Sequence, residues 1–347
     1  MRIALVHTRL LYRGGLETRL FSYIASLRER GHEVTVIVYR VGRGVEIPPG
    51  IRLLHLKLPW VRKVRRQNVF NQRLAKVLAA EKFDFVLSLG RTSHHDAVLL
   101  PGNHLGYLRA LGQSPRGLSD RLQIDLDRQA YAAPGTILAC SQMMKDEVVE
   151  LYGADPAKIQ VLFPPTDTTR FHPGLKAERM RFREQFGMSP DKHSFVLVSA
   201  SHSRKGLPLL MEAFRELQDQ PVELLVAGKE EVPRGLPNVR GLGFVRETEK
   251  LYAAADATLL PALYEPFGQV VSESILVGTP VLVSGMVGAR EVVDARTGLV
   301  IDTFDPAIWR RHIADFSPSD FPMDPDFARR HALALEDHMD RILALTQ

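Results

Sequence analysis

In the stretch YEPFGQVVSE, residues 264–273, two glutamates stand eight positions apart with Pro266 and Gly268 between them. Proline favours the first helical turn, which places Glu265 at or just before a helix cap and Glu273 about two turns along. At ~100° per residue the two side chains then fall within roughly 80° of each other, on neighbouring faces. Glu273 lies inside VVSESILVG, an apolar run whose helix is expected to be largely buried. A carboxylate there needs a partner. Its two acceptor oxygens suit a pair of vicinal hydroxyls, such as those of a ribose.

Cations of matching use occur upstream. In SHSRKGLPLL (201–210) Arg204 and Lys205 precede a helix start, where a diphosphate would meet a forked donor, a point charge and the helix dipole together. In YRGGLE (12–17) Gly14 and Gly15 fill the turn between a strand and a helix, and backbone N–H groups there can approach an anion. This is not GxGxxG, and the chain holds no GxxxxGK[ST], so neither a dinucleotide fingerprint nor a P-loop is present. DLD (125–127) is formally a metal-binding DxD, but RLQIDLDRQAYA has helical periodicity and reads as a surface feature.

The elements that must hold these residues form two βα series. RIALVH, a loop, LETRLFSYIASLRERG and HEVTVIVY give strand, loop, amphipathic helix and strand, the opening of a parallel sheet. Strands are expected at 51–56, 83–89, 97–100, 136–140 and 158–163, with a serine-capped helix over 141–153. A second series starts at SFVLVSA (194–200). It continues through a helix at 206–218, strands at 222–228, 256–262 and 280–284, and helices near 246–255 and from 267. The end, DFARRHALALEDHMDRILALTQ, reads as one last amphipathic helix. Two such series predict an α/β protein of two Rossmann-like, doubly wound domains facing a cleft, with the boundary between 164 and 190. At 347 residues the chain is long enough for two cores.

Composition narrows the class. Hydrophobic residues are 45% and charged residues 24%, as in soluble globular proteins. No apolar run reaches the ~18 residues of a spanning helix, and the N-terminus has no signal-peptide pattern, so a cytoplasmic protein is expected. Cys140 is the single cysteine, which excludes internal disulfides and cysteine-based zinc sites. The net charge of +5 conceals an asymmetry. Residues 1–165 carry 24 Lys+Arg against 14 Asp+Glu, the remainder 21 against 26, and 51–80 holds eight basic residues and no acid. Arg62, Lys63, Arg65 and Arg66, with Trp60 and Phe70 interleaved, could meet an anionic acceptor or the anionic inner face of a membrane. No nucleic-acid module accompanies them, and no nucleic-acid partner is expected.

Taken together, RGGLE, SRKG, EPFGQVVSE, the following GTPVLVS, CSQMMKDEVVELYG and DTTRFHP resemble the retaining nucleotide-sugar glycosyltransferases of family 4, over nearly the whole chain. The resemblance implies the two-domain GT-B architecture, divided as 1–167 on the acceptor side, 168–325 for the donor, and 326–347 as a helix returning to the first domain. It implies that Glu273 accepts the donor's ribose hydroxyls and Glu265 contacts the transferred sugar. Backbone N–H groups of Phe267 and Gly268 face the sugar and phosphates, Arg204 and Lys205 hold the diphosphate, and Gly14 and Gly15 close over it. A first-domain histidine would contact the sugar; His104 in LPGNHLGY matches best, with His94 and His95 as rivals. FPPTDTTRF departs from the family's usual Asn-Gly before the aspartate, so Asp167 reads as a turn residue. The implied reaction moves a sugar from a nucleoside diphosphate sugar to a glycan or glycolipid hydroxyl, with no metal and no further cofactor. The similarity to lipopolysaccharide core transferases suggests a cell-surface acceptor. A sugar-nucleotide epimerase of the same fold, or a non-catalytic basic binding protein, are the alternatives.

Overall fold

The computed structural model describes residues 1–12, 14–58 and 60–346; Arg13 of the glycine loop and Pro59 beside Trp60 lie outside them. The chain divides into two compact units, one of Met1–Phe163 with Leu335–Gln347, the other of Pro164–Ala334.

Among its described residues the first unit has nine strands: β1 (Arg2–Val6), β2 (Arg9–Leu10), β3 (Glu33–Val38), β4 (Arg40–Val41), β5 (Ile51–His55), β6 (Phe85–Ser88), β7 (Ala97–Leu100), β8 (Thr136–Ala139) and β9 (Ile159–Val161). Seven form one sheet in the order β5-β3-β1-β6-β7-β8-β9, and β2 pairs with β4 as a short separate ladder. Every pairing is parallel, with Arg2 opposite Glu33 on one side of β1 and Ile3 opposite Phe85 on the other. Strands covered on both faces read as continuous apolar runs rather than alternations, which is why RIALV and AVLL announce themselves in the sequence. The helices are α1 (Gly15–Glu29), α2 (Arg66–Ala80), α3 (His104–Ala110), α4 (Gly117–Ala132) and α5 (Gln142–Tyr152). Ser141 caps α5 as expected, its side chain accepting from Met144 N at 3.1 Å, and Gly153 ends it in the left-handed region.

The second unit carries β10 (His193–Val198), β11 (Val222–Ala227), β12 (Val239–Gly243), β13 (Ala257–Leu260), β14 (Val281–Ser284) and β15 (Gly298–Ile301). They form a parallel sheet in the order β12-β11-β10-β13-β14-β15, so the strand order reverses between β10 and β13. Its helices include α6 (Arg179–Gln185), α7 (Leu207–Arg215), α8 (Thr248–Ala254) and α9 (Gln269–Val277). In open sheets of this kind ligands bind beyond the carboxyl ends of the strands at such a reversal.

Three expectations change. The terminal stretch is not one helix: Phe327–Arg330 ends at a turn with Ala332 at φ 48°, and a separate helix spans Leu335–Leu343. That last helix belongs to the first unit, where His338 takes a hydrogen bond from Tyr23 of α1 and donates Nδ1–H to Phe163 O at 2.9 Å. Phe70 is fully buried and packs edge-on against Tyr39, so it belongs to the core and not to the basic face. Asp127 of DLD is also fully buried, accepting from Arg91 Nε, from His104 N at 2.8 Å and from Tyr152 Oη at 2.9 Å; only Asp125 is exposed. Apolar periodicity assigned α4 correctly but could not show that a charged partner on another element would draw Asp127 inward.

Candidate active site

In the second unit the chain leaves β10 and turns through Ser201–Gly206 before entering α7. Lys205 N bonds to Ser201 O at 3.0 Å and Leu207 N to His202 O at 2.9 Å. Gly206 caps α7 at φ 86°, and a Cβ there would overlap Pro261 O. The missing side chain lets the turn lie against the end of β13, where Leu263 N bonds Arg204 O at 2.9 Å. This seats Arg204 and Lys205 beside the segment that follows β13.

That segment stays extended. Glu265 forms a parallel bridge with Val287; its N–H reaches Met286 O at 3.0 Å and its carbonyl takes Gly288 N at 2.8 Å. Helix α9 begins only at Gln269, capped by Gly268 at φ 97°. Pro266 is therefore not in a helical turn, Glu265 is not a cap, and the helical angle between the two glutamates does not apply. The bridge to 286–288 outcompetes the proline signal, and the left-handed Gly268 starts the helix late.

The carboxylate of Glu265 is nevertheless well placed. Its Oε2 lies 3.0 Å from Arg204 Nη1 and 3.3 Å from Lys205 Nζ, while Arg204 Nη1 also donates to Tyr264 O at 2.7 Å. Lys205 is buried, so its charge acts in a medium less screened than water. Glu273 lies on α9, half-buried, and accepts from Tyr252 Oη of α8 at 3.1 Å. Burial pushes its carboxyl pKa up; Tyr252, Arg170 and Lys205 pull the other way without cancelling that effect. Burial, and the neighbouring carboxylate of Glu273, hold the Tyr252 phenol well above its ordinary value. Phe267 is buried with its carbonyl bonded to Ala289 N, and a side chain on Gly268 would crowd Val287 and the Glu265 stem.

Arg170 is a residue that sequence reasoning missed. It donates through Nε and Nη2 to Glu249 Oε2 at 2.8 and 2.6 Å, lies over the Phe171 ring, and is among the charges felt by Glu273. DTTRFHP contained the signal, an arginine next to an aromatic ring directly after an aspartate turn. Asp167 makes that turn, its Oδ1 accepting from Thr169 N and Arg170 N at 3.1 Å.

In the first unit Gly14 caps α1 at φ 114°, and Gly15 is the first helical residue. His104 opens α3; its Nε2 is 3.0 Å from Asp120 Oδ1 and its ring stacks on Tyr107. His94 is exposed, while His95 is buried with its pKa pushed down to about 4 by burial. A fourth histidine, His7, escaped the sequence reading because it closes an apolar strand. It is buried after β1, donates Nδ1–H to Leu89 O at 2.7 Å, and its Nε2 makes no hydrogen bond. Arg62, Lys63, Arg65 and Arg66 are all exposed at the start of α2, and Trp60 is 97% exposed beside them. A cavity of about 440 Å³ next to it is lined by Tyr39, Arg40, Leu58, Val61 and Arg66.

Residues 13–170 match the family model described as Glycosyltransferase Family 4, and residues 192–317 that described as Glycosyl transferases group 1. A Burkholderia thailandensis protein named "Probable transglycosylase" is 34% identical over 307 residues, covering 88% of this chain and 84% of that protein. The D-inositol 3-phosphate glycosyltransferase of Xylanimonas cellulosilytica is 24% identical, over 85% of this chain and 81% of its own. Among solved structures, WaaG, a glycosyltransferase involved in lipopolysaccharide biosynthesis, superposes with a TM-score of 0.80 at 20% identity, covering 99% and 98% of the two chains. Anabaena HepE in complex with UDP and glucose gives 0.72 at 17% identity, with all of both chains covered. These structures share the GT-B fold of two parallel α/β sheets, here of seven and six strands. The chain belongs to glycosyltransferase family 4 and is a retaining nucleotide-sugar glycosyltransferase.

Proposed function

We propose that this transferase moves one sugar to a hydroxyl of a cell-surface glycan or glycolipid of the lipopolysaccharide type, working at the inner face of an anionic membrane. The carrying observation is that one carboxylate oxygen, Glu265 Oε2, is shared by Arg204 and Lys205 at the carboxyl edge of the second sheet. In this reading Arg204 and Lys205 neutralise the donor's diphosphate as the bond from the sugar C1 to the phosphate oxygen breaks. The acceptor oxygen bonds to the same face of C1, and its proton passes to the departing diphosphate. Glu265 orients the sugar's hydroxyls, Glu273 the ribose, and backbone N–H groups of Phe267 and Gly268 face the sugar. Positioning and fixed charge supply the rate, with neither glutamate moving a proton.

One protein of this fold, Anabaena HepE, was captured both with UDP and glucose and with UDP-glucose, which makes a uridine donor the first to try. A panel of UDP-, GDP- and ADP-sugars read by thermal shift identifies the base, since a ligand at ~100 times its Kd adds ~2.7 kcal/mol to stability. Glu273→Ala and Lys205→Ala must then each sharply lower kcat/KM for nucleotide release from the stabilising donor; unchanged release overturns the assignment. Isomerised sugar from donor incubated without acceptor would move the reading to an epimerase.

The membrane part is supported by Trp60 and the four exposed cations Arg62, Lys63, Arg65 and Arg66, of which Arg66 lines the 440 Å³ cavity with Trp60, since an aromatic tip beside Lys and Arg suits an anionic headgroup layer. No helix among the described residues is long and apolar enough to cross a membrane. Vesicles containing about one-third phosphatidylglycerol should retain the protein at low salt and lose Trp60→Ala. Equal retention on neutral vesicles would overturn it.

A further inference from the structure

A polar cleft in the first unit is lined from α2, α4 and the loop after β6. Helix α2 runs back from the carboxyl edge of the sheet into β6, so its first turns lie beside that loop. At the same edge the strand order reverses between β1 and β6, where an open parallel sheet takes ligands. Asn68, Gln72 and Lys76 stand at i, i+4 and i+8 and form one row along α2. With Arg73, His94 of the loop and Gln129 of α4 they line a cleft of about 660 Å³. The loop is pinned from both helices. Arg91 O accepts from Gln67 Nε2 at 3.0 Å and Asn71 Nδ2 at 3.2 Å. The Arg91 guanidinium pairs with the buried Asp127 and donates to Gln123 Oε1 at 2.6 Å.

No lining residue is Asp or Glu, so nothing in the cleft neutralises Arg73 and Lys76. Arg73 uses one donor on Lys57 O and keeps the rest of its fork, and Lys76 is exposed with three donors. Asn68 Oδ1 is buried with no hydrogen-bond partner. With nothing bonded to that oxygen, a turn about χ2 brings it to a sugar hydroxyl. A neutral sugar is commonly held by carboxylates on its vicinal hydroxyls and an aromatic ring under its C–H face. This cleft has no carboxylate, and its one ring is His94, whose Nδ1 is 3.1 Å from Ser93 Oγ. Amides for hydroxyls, with two uncompensated cations for an anion, form the donor set of a charged sugar. We propose that this cleft binds an anionic sugar, one bearing phosphate or carboxylate, as a residue of the acceptor glycan. This deepens the transferase reading and rests on it, by making the acceptor an anionic saccharide anchored on α2.

The test uses the full chain, with glucose 6-phosphate and galacturonate as probes and glucose and inorganic phosphate as controls. At least one anionic sugar should raise the wild-type Tm well beyond either control. Asn68→Leu should shrink that shift and Lys76→Glu abolish it. Lys205→Ala, which removes the donor turn's buried cation, should keep it. UDP and the anionic sugar should together shift Tm by more than either alone. The proposal is overturned by no shift with either anionic sugar, by an equal shift with glucose or inorganic phosphate, by a shift that survives Lys76→Glu or is lost in Lys205→Ala, or by displacement with UDP. If Asn68→Leu does not fold, the exposed Lys76 decides alone. With lipopolysaccharide core oligosaccharide as acceptor, Lys76→Glu should raise the acceptor KM roughly 10-fold or more and leave donor KM unmoved. An unchanged acceptor KM also overturns the proposal. A Lys76-dependent shift in a chain that binds no nucleotide sugar would instead strike the transferase reading.

Discussion

Lys205 Nζ lies 3.3 Å from Glu265 Oε2, so the buried cation suited to a diphosphate is already held by the carboxylate suited to the sugar. The two cannot be altered independently. Lys205→Ala should lower kcat/KM for nucleotide release roughly 100-fold or more, as loss of a fixed charge at the leaving group does. Glu265→Gln should cost less in the Lys205→Ala background than alone, with a coupling of about 0.5–3 kcal/mol in a double-mutant cycle. Strictly additive losses would show that the pair does not act as one unit.

Gly206 and Gly31 both have positive φ, 86° and 78°, but their surroundings differ. A Cβ on Gly31 meets nothing within 4 Å, whereas one on Gly206 overlaps Pro261 O. Gly31→Ala should therefore cost only the backbone term, about 1–2 kcal/mol. Gly206→Ala must in addition push the Arg204–Lys205 turn off the end of β13, so it should cost more stability and lose nucleotide binding. Urea melts of the two variants check this; equal costs with binding intact would remove the turn from the donor site.

Acid stability should be governed first by buried histidines. Burial lowers His338 to about 3 and His95 to about 4. Between those values and 6.5 the unfolded chain binds protons that the folded chain does not, so stability falls as pH drops through the window. Each ring contributes up to about 1.4 kcal/mol per pH unit well inside it. Glu17 acts lower: its depressed pKa contributes stability above about 4.5 that is lost as pH falls towards about 2. Urea unfolding at pH 7 and pH 5 separates the two, and His338→Gln should flatten the slope. Equal stability at both pH values would show that these rings titrate freely.

Much of this architecture was legible because parallel strands buried on both faces leave unbroken apolar runs, as at Ala97–Leu100 and Val281–Ser284. The elements missed were weak in that respect. β12 is VRGLG, a half-exposed edge strand with two glycines, and β15 is only GLVI. The spacing of Glu265 and Glu273 drew attention to the right segment for a reason the fold does not keep, since only Glu273 is helical. Arg204, Lys205 and Glu265 do converge, because Gly206 and the bridge at Val287 bring two distant turns together. Contacts such as Tyr252 with Glu273, or His7 with Glu17, join residues on separate elements, and no single-helix or single-strand period carries them.

Tyr252 is the sharpest probe of Glu273, because its hydroxyl gives the half-buried carboxylate a hydrogen bond at 3.1 Å. Burial already raises the Glu273 pKa, and the Tyr252 bond is first among the opposing effects. Deleting that hydroxyl in Tyr252→Phe should raise it further. A ribose diol is best held by the ionised carboxylate, so donor affinity should weaken as pH falls through the Glu273 pKa. That acid limb should begin at higher pH in the variant. Loss of a charge-assisted hydrogen bond corresponds to about 1.5–3 kcal/mol, or roughly 10–100-fold in donor KM. The ribose is remote from the breaking bond, so kcat should change little. Donor KM measured from pH 5 to 8 in wild type and Tyr252→Phe decides the matter. A fall in kcat at constant KM, with the acid limb unmoved, would place Glu273 at the reacting sugar and Tyr252 as a structural prop.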